Sequence, residues 1–480
     1  MLFNSYEFLV FFPLAVMMYF LTPVKWRWLL LLTASCYFYM CWKPEYIVLM
    51  MFPSLIDYYV ALKMRATPEQ NKRKKYLWFS LVTNLGLLFT FKYFNFFNES
   101  LRALFEALNL SYAVPVVNLL LPVGISFYTF QTLSYTIDVY RGAVEPERHL
   151  GKFALFITFF PQLVAGPIER SRNLLSQLQN LRARFEAERI TDGLRLMLWG
   201  FFKKVVIADR LAATVNLVYN SPAEYHGVQI VLATVFFAFQ IFCDFSGYSD
   251  IAIGAAKIFG VNLMKNFDKP YSARSISEFW KRWHISLSTW FKDYVYIPLG
   301  GNRTIKWRWY YNLFITFLIS GLWHGANWTF IIWGALHGIY LIFAIISRPY
   351  KDTLLQLLGL SKRPFALKAL QVLTTFALVN LGWLFFRANN LSDALLLLHN
   401  LFVLAPLASV FEFITPGALA LNLLLIAILE LAHYVEKETP FILSLTRKPA
   451  LIRWPAYVAV TLAILYLSSS SGHQFIYFQF

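Results

Sequence analysis

The sequence predicts an all-α, polytopic integral membrane protein. Of its 480 residues, 58% are hydrophobic and only 14% are charged. The mean hydropathy is +0.52, and apolar runs of near-spanning length recur along the chain. Water-soluble chains usually carry about a quarter charged residues, and a spanning helix needs ~17–25 apolar residues.

The runs come in three groups within one domain, 1–480. An N-terminal group to about residue 110 holds runs 8–21, 28–41, 46–62 and 76–91. A core from about 120 to 346 holds 194–207, 228–242, 313–322 and 329–346. A C-terminal group, 347–480, holds 366–386, 394–407, 419–431 and 457–467. Several runs are short, so roughly ten to thirteen membrane segments are expected, some of them re-entrant. The polar stretch 169–192, with Leu174, Leu175, Leu178 and Leu181 at helical spacing, predicts an amphipathic helix on the membrane surface.

No basic region precedes the first run, so no cleavable signal is expected. Lys25 and Arg27 follow run one, and Arg65 and Lys72–Lys75 follow run three, which places those loops in the cytoplasm. The formal charge of +17 is then explained by positive-inside topology and attraction to the lipid bilayer, with no nucleic acid needed. Cys36, Cys41 and Cys243 have no metal or disulfide spacing, so neither a metal site nor a cystine is expected.

Three Gly- and Pro-marked breaks interrupt the core, at 121–124, 160–167 and 244–250. Irregular backbone at membrane depth survives only inside protein or beside a water-filled cavity. The three breaks together therefore predict re-entrant segments around an internal cavity, the alternative for each singly being an ordinary loop at the interface. Asp244 and Asp250 either line the cavity mouth or tie helices together, with Tyr248 beside them. Asp138 is expected to pair with Arg141.

The stretch 275–294 reads as one aromatic amphipathic helix. Ile276, Phe279, Trp280, Trp283, Leu287, Trp290, Phe291 and Tyr294 collect on one side, and Glu278 to Arg282 is a favourable pair. Ser275 or Ser277 caps its start, and His284 falls on the border between faces. Further on, Ser320-Gly-Leu-Trp-His-Gly-Ala-Asn-Trp328 places His324 inside an apolar stretch from about 311 to 346. A titratable group at membrane depth is a functional-site candidate. On a continuous helix His337 points about 140° away, which makes it structural. His149, His226, His399, His433 and His473 carry no signal.

Together, Asp244-Phe-Ser-Gly-Tyr-Ser-Asp250, Asn266-Phe-Asp-Lys-Pro-Tyr271, Phe279-Trp-Lys-Arg-Trp-His-Ile-Ser-Leu287, Tyr294-Val-Tyr-Ile-Pro-Leu-Gly-Gly-Asn-Arg303 and Gly321-Leu-Trp-His-Gly-Ala-Asn-Trp328 resemble the membrane-bound O-acyltransferase (MBOAT) family. The opening Met1–Phe8 and the ending 475–480 also match. The likeness is to its bacterial branch, which acts in alginate O-acetylation, peptidoglycan O-acetylation and teichoic-acid D-alanylation. It implies helices around a tunnel, with His324 as the active-site histidine and His284 as the second histidine of the pattern. Acyl transfer to a hydroxyl needs a base for the hydroxyl proton and donors for the oxyanion. For that role His324 suits the base, or a transient acyl carrier. Asn327, three residues on, suits orientation of the ring or the acyl carbonyl, and Trp323 and Trp328 suit exclusion of water. Trp280, Tyr248 and Asp250 join Asn327, Trp323 and Trp328 as supporting candidates. It further implies a bacterial inner-membrane protein with no bound cofactor, taking acetyl from a cytoplasmic donor such as acetyl-CoA. The receiver would be an exported polysaccharide, alginate first, or a periplasmic, SGNH-hydrolase-like acetyltransferase partner.

Two readings from other classes compete. A transporter would also carry interrupted helices, but the chain shows no repeat symmetry and no paired charges along a membrane path. A scaffold that only positions a periplasmic enzyme would leave His324 dispensable.

Overall fold

The computed structural model describes residues 1–163, 166–436, 439–468 and 475–476, and among these every regular element is helical. Val164, Ala165, His473 and the ending 477–480 lie outside the described residues. Among the described residues, seven helices are long and apolar enough to cross a bilayer: Tyr46–Ala66, Gln70–Ala107, Val228–Ile258, Trp328–Ile346, Pro364–Arg387, Pro416–Val435 and Ala450–Leu467. Tyr6–Leu21 is a shorter apolar helix. This is a multi-pass membrane protein. Several further runs fold into shorter helices, such as Arg27–Met40 and Leu391–Asn400. Run 194–207 is shared between the charged helix Ala187–Phe201 and a π turn, Phe202–Ala208.

The three expected breaks differ. Gly124, at φ 76°, starts the helix Ile125–Tyr140, a left-handed position that glycine takes without strain. Phe160–Leu163 is a four-residue helix. At 244–250 there is no break, since Val228–Ile258 runs through it as one helix.

The chain divides into two compact units, residues 1–197 with 248–264, and residues 198–247 with 265–480. In the first unit, polar groups inside apolar helices satisfy one another. Asp57 accepts from Ser80 Oγ at 2.5 Å and Asn84 Nδ2 at 2.8 Å, and Thr132 Oγ1 donates to Asn84 Oδ1 at 2.9 Å. With no water in the hydrocarbon, such groups must pair internally, and this network ties three helices. Tyr248 is fully buried and donates to Asn4 Oδ1 at 3.3 Å, while Asp250 is partly exposed. Asp138 has Arg172 Nε at 4.0 Å.

The polar stretch 169–192 also departs from expectation. Its first helix is only Ser171–Leu178, and Leu174, Leu175, Leu178 and Leu181 are buried in protein rather than laid on lipid. Glu169, fully buried, accepts from Met264 N–H at 2.6 Å and Asn173 Nδ2 at 2.7 Å.

The second unit contains a helical hairpin, Lys306–His324 and Trp328–Ile346. Gly321 and Gly334 meet backbone to backbone. A Cβ on Gly321 would lie 2.3 Å from Phe330 O, and one on Gly334 would lie 2.4 Å from Phe317 O. Small residues permit this approach where no hydrophobic effect drives helices together. The same unit holds a buried ion triad: Lys204 Nζ is 2.8 Å from Asp209 Oδ1 and 2.7 Å from Asp244 Oδ1. Asp244 Oδ2 accepts Ile476 N–H at 2.7 Å. Paired charges do exist inside the apolar helices, contrary to expectation, and Asp244 is a tie.

Candidate active site

His284 occupies a helix break. The stretch read as one helix is two, Ile276–Arg282 and Ile285–Phe291, followed by a π turn, Lys292–Tyr296. Its start is as expected: Ser275 Oγ accepts Glu278 N–H at 3.2 Å, and Glu278 pairs with Arg282 at 2.6 Å. The apolar face is also as expected, with Ile276, Phe279, Trp280, Trp283, Leu287, Trp290 and Phe291 buried. The break falls at His284, which has φ 42° and ψ 55°. Asn266 builds it. Its carbonyl accepts Ile285 N–H at 2.9 Å, and its Oδ1 accepts the N–H and hydroxyl of Ser286 at 3.3 and 2.9 Å. His284 is thereby turned fully into protein, not left on a border between faces.

His324 ends its helix, just before Gly325, and is 2% exposed. A Cβ on Gly325 would lie 2.2 Å from the Phe330 ring, so glycine is what lets the hairpin close there. The His284 and His324 rings have centroids 6.3 Å apart at 58°. That is too far for a direct nitrogen-to-nitrogen hydrogen bond, yet close enough for one small group to touch both. Aromatic rings wall the pair: Trp323 lies 5.0 Å from His324 and 6.0 Å from His284. Trp333 and Phe386 stand 4.9 and 5.3 Å from His324, and Phe245 stands 4.6 Å from His284. Such a lining excludes water and strengthens any charge interaction within it.

The remaining candidates divide. Trp323 is buried against both histidines. Trp328 is 50% exposed at the start of the second hairpin helix. Asn327 does not share a helix with His324. It caps the next helix, with Oδ1 accepting Thr329 N–H at 3.0 Å and Nδ2 donating to Asn389 O at 3.0 Å. Trp280 Nε1–H donates to His337 Nδ1 at 3.2 Å, and because indole is only a donor, the neutral His337 carries its proton on Nε2. His337 is not remote from His324, since the hairpin folds back and Trp333 touches both rings, at 4.9 and 5.1 Å. Tyr248 and Asp250 belong to the first unit, where Asn4 accepts the Tyr248 hydroxyl. Sequence reasoning assigned no role to Asn266, Phe245, Trp333 or Phe386. Asn266 and Phe245 did carry a signal, as members of the quoted motifs. No three His, Cys, Asp or Glu side chains gather as a metal ion would require among the described residues.

The membrane-bound O-acyltransferase family model matches residues 147–380, which include both histidines. The chain is 41% identical over 396 residues to a probable alginate O-acetylase of Azotobacter vinelandii, covering 82% of this chain and 76% of that one. It is 36% identical over 435 residues to the peptidoglycan O-acetyltransferase of Helicobacter pylori, covering 84% and 80%. Similarity to the teichoic acid D-alanyltransferase of Bacillus subtilis is 31% over 252 residues, covering 49% and 63%.

Proposed function

The chain belongs to the membrane-bound O-acyltransferase family, and from that premise we propose that it transfers acetyl from a cytoplasmic thioester, acetyl-CoA, for O-acetylation of an exported polysaccharide. The observation that carries this is the sealed His284–His324 pair, with centroids 6.3 Å apart. In the proposed step a hydroxyl oxygen attacks the thioester carbonyl, His324 takes the hydroxyl proton, the C–O bond forms and the C–S bond breaks. The proton then passes to the leaving thiolate. His284, on the other side of the gap, steadies the carbonyl oxygen as charge builds on it. A base so placed contributes ~10²–10⁴-fold.

Alginate is the acceptor we favour. The relatives named for alginate are similar over most of this chain, whereas those named for D-alanyl transfer match about half of it. Peptidoglycan or another exopolysaccharide is the next reading, supported by the Helicobacter relative. Bacterial relatives support an inner-membrane location, and a periplasmic SGNH-hydrolase-like acetyltransferase is the partner proposed to complete the transfer.

The Lys204–Asp209–Asp244 triad is a feature that a transporter would also use. Its bonds are spent internally and on Ile476 N–H, which favours a structural tie. The test is the acetyl content of exported polymer in cells carrying wild type, His324→Ala or His284→Ala at matched membrane levels. Loss with His324→Ala is expected. Unchanged acetylation would remove the catalytic assignment and favour a scaffold.

A further inference from the structure

The turn after Tyr6–Leu21 and the segment after Ser171–Leu178 face each other in the first unit across a cavity of about 500 Å³. That volume is within the range of small-molecule sites. Lys25, Lys152 and Arg182 line it with Trp26, Trp28 and His149, whose Nδ1 accepts Lys152 N–H, and the lining includes no carboxylate. Like charges gathered around one cavity repel unless an anion enters it.

The walls are held by the protein's own contacts. Arg27 is 8% exposed, and its guanidinium joins the two sides, with Nε donating to Thr22 O at 3.1 Å and Nη1 to Ala183 O at 2.6 Å. It also lies 4.6 Å over the Tyr19 ring. Lys152 Nζ donates to Gln179 O at 3.2 Å. Trp28 packs edge-on to His149 at 4.6 Å, and so near Gly151 that a Cβ there would lie 2.3 Å from the ring. Glu147, outside the lining, accepts from His149 N–H at 2.8 Å and from the Gln179 amide. Trp26 is half exposed at the end of an apolar helix, a residue mix typical of the membrane interface.

We propose that this cavity binds a phosphate ester. Lys25, Lys152 and Arg182 meet the phosphate, and the two indoles pack on the group attached to it. The phosphate has two sources, the headgroup of an anionic phospholipid or the phosphates of a nucleotide such as coenzyme A. The lipid source is independent of the acyl-transfer reading, and the coenzyme A source rests on it.

The test compares the full chain with a Lys25→Gln, Lys152→Gln, Arg182→Gln variant and a Lys74→Gln, Lys75→Gln control. Native mass spectrometry after purification from phosphatidylglycerol-rich membranes reads retained lipid. Calorimetry with coenzyme A in phosphatidylcholine nanodiscs reads the nucleotide. A tenfold or greater loss of phosphatidylglycerol retention in the triple variant alone supports the lipid source. The same loss for coenzyme A supports the nucleotide source, and binding that survives in His324→Ala separates this site from the histidine pair. If neither probe is weakened more by the triple variant than by the control, the site is not there.

Discussion

The rings of His284 and His324 lie 6.3 Å apart, centroid to centroid, and each reaches that place from a helix end rather than a helix face. His284 sits at φ 42°, a left-handed conformation that costs a non-glycine residue roughly 1–2 kcal/mol. Backbone strain of this kind clusters where a side chain is needed. His284→Gly removes the imidazole while relieving the backbone. Its melting temperature should equal or exceed that of His284→Ala, while acetyl transfer falls about 100-fold or more. Full transfer by His284→Gly at normal levels would show the imidazole to be dispensable.

Asn327 separates capping from chemistry. Its side chain caps the second hairpin helix through Thr329 N–H, and serine or aspartate can do the same. Asn327→Ser and Asn327→Asp should therefore keep transfer within about threefold, while Asn327→Ala loses ~1 kcal/mol of stability. Asn327→Asp should melt lower, because a carboxylate cannot donate to Asn389 O as Asn327 Nδ2 does. Activity measured at matched membrane levels decides. A collapse in the Ser and Asp variants with unchanged melting would return Asn327 to the reacting groups.

Much of this was legible in the sequence, and what was not has a physical cause. Helix content follows from the apolar runs, and the Ser275 cap with the Glu278–Arg282 pair is local chemistry that acts wherever the segment lies. The break at His284 is different. Helical periodicity continues through it, with Trp283 and Leu287 still in phase, and the break is built by Asn266, a tertiary partner. The hairpin was half visible: runs 313–322 and 329–346 are separate, yet the apolar stretch from about 311 to 346 reads as one until Gly325 and Asn327 are assigned to a turn. On one continuous helix His337 faces away from His324, whereas the turn brings both against Trp333. At 244–250 glycine and serine suggested a break, but serine and small residues also suit a helix packed tightly against others, and Gly247 meets Gly200 O at 2.8 Å from where its Cβ would be.

The Lys204 triad makes a stability prediction. Two carboxylates share one buried ammonium, so removing that ammonium leaves like charges facing each other out of water. Breaking a buried pair costs ~3–5 kcal/mol, whereas replacing the whole set with apolar or neutral groups is far milder. Lys204→Met should strongly reduce the folded fraction in detergent. Adding Asp209→Asn and Asp244→Asn to it should recover much of the loss. Failure of the triple variant to recover would mean that the charges themselves are needed.

Glu169 makes a pH prediction outside the spanning helices. Burial pushes its carboxyl up to about 7, against the opposing effects of the Met264 N–H, Asn173 and Arg170. The native state thus holds this proton more tightly than the unfolded chain, where a glutamate titrates near its ordinary value of about 4.3. Its stabilising contribution is complete below that value and is lost as pH rises through about 7. Wild-type protein should melt at progressively lower temperature between about pH 5 and pH 8, since a tenfold difference in proton affinity between the folded and unfolded chain is worth about 1.4 kcal/mol. Glu169→Gln keeps an acceptor for Met264 N–H and has no proton to lose, so its melting temperature should be flatter across the same range. Parallel slopes for the two proteins would mean that Glu169 stays ionised in the fold, held by Met264 and Asn173 despite its burial.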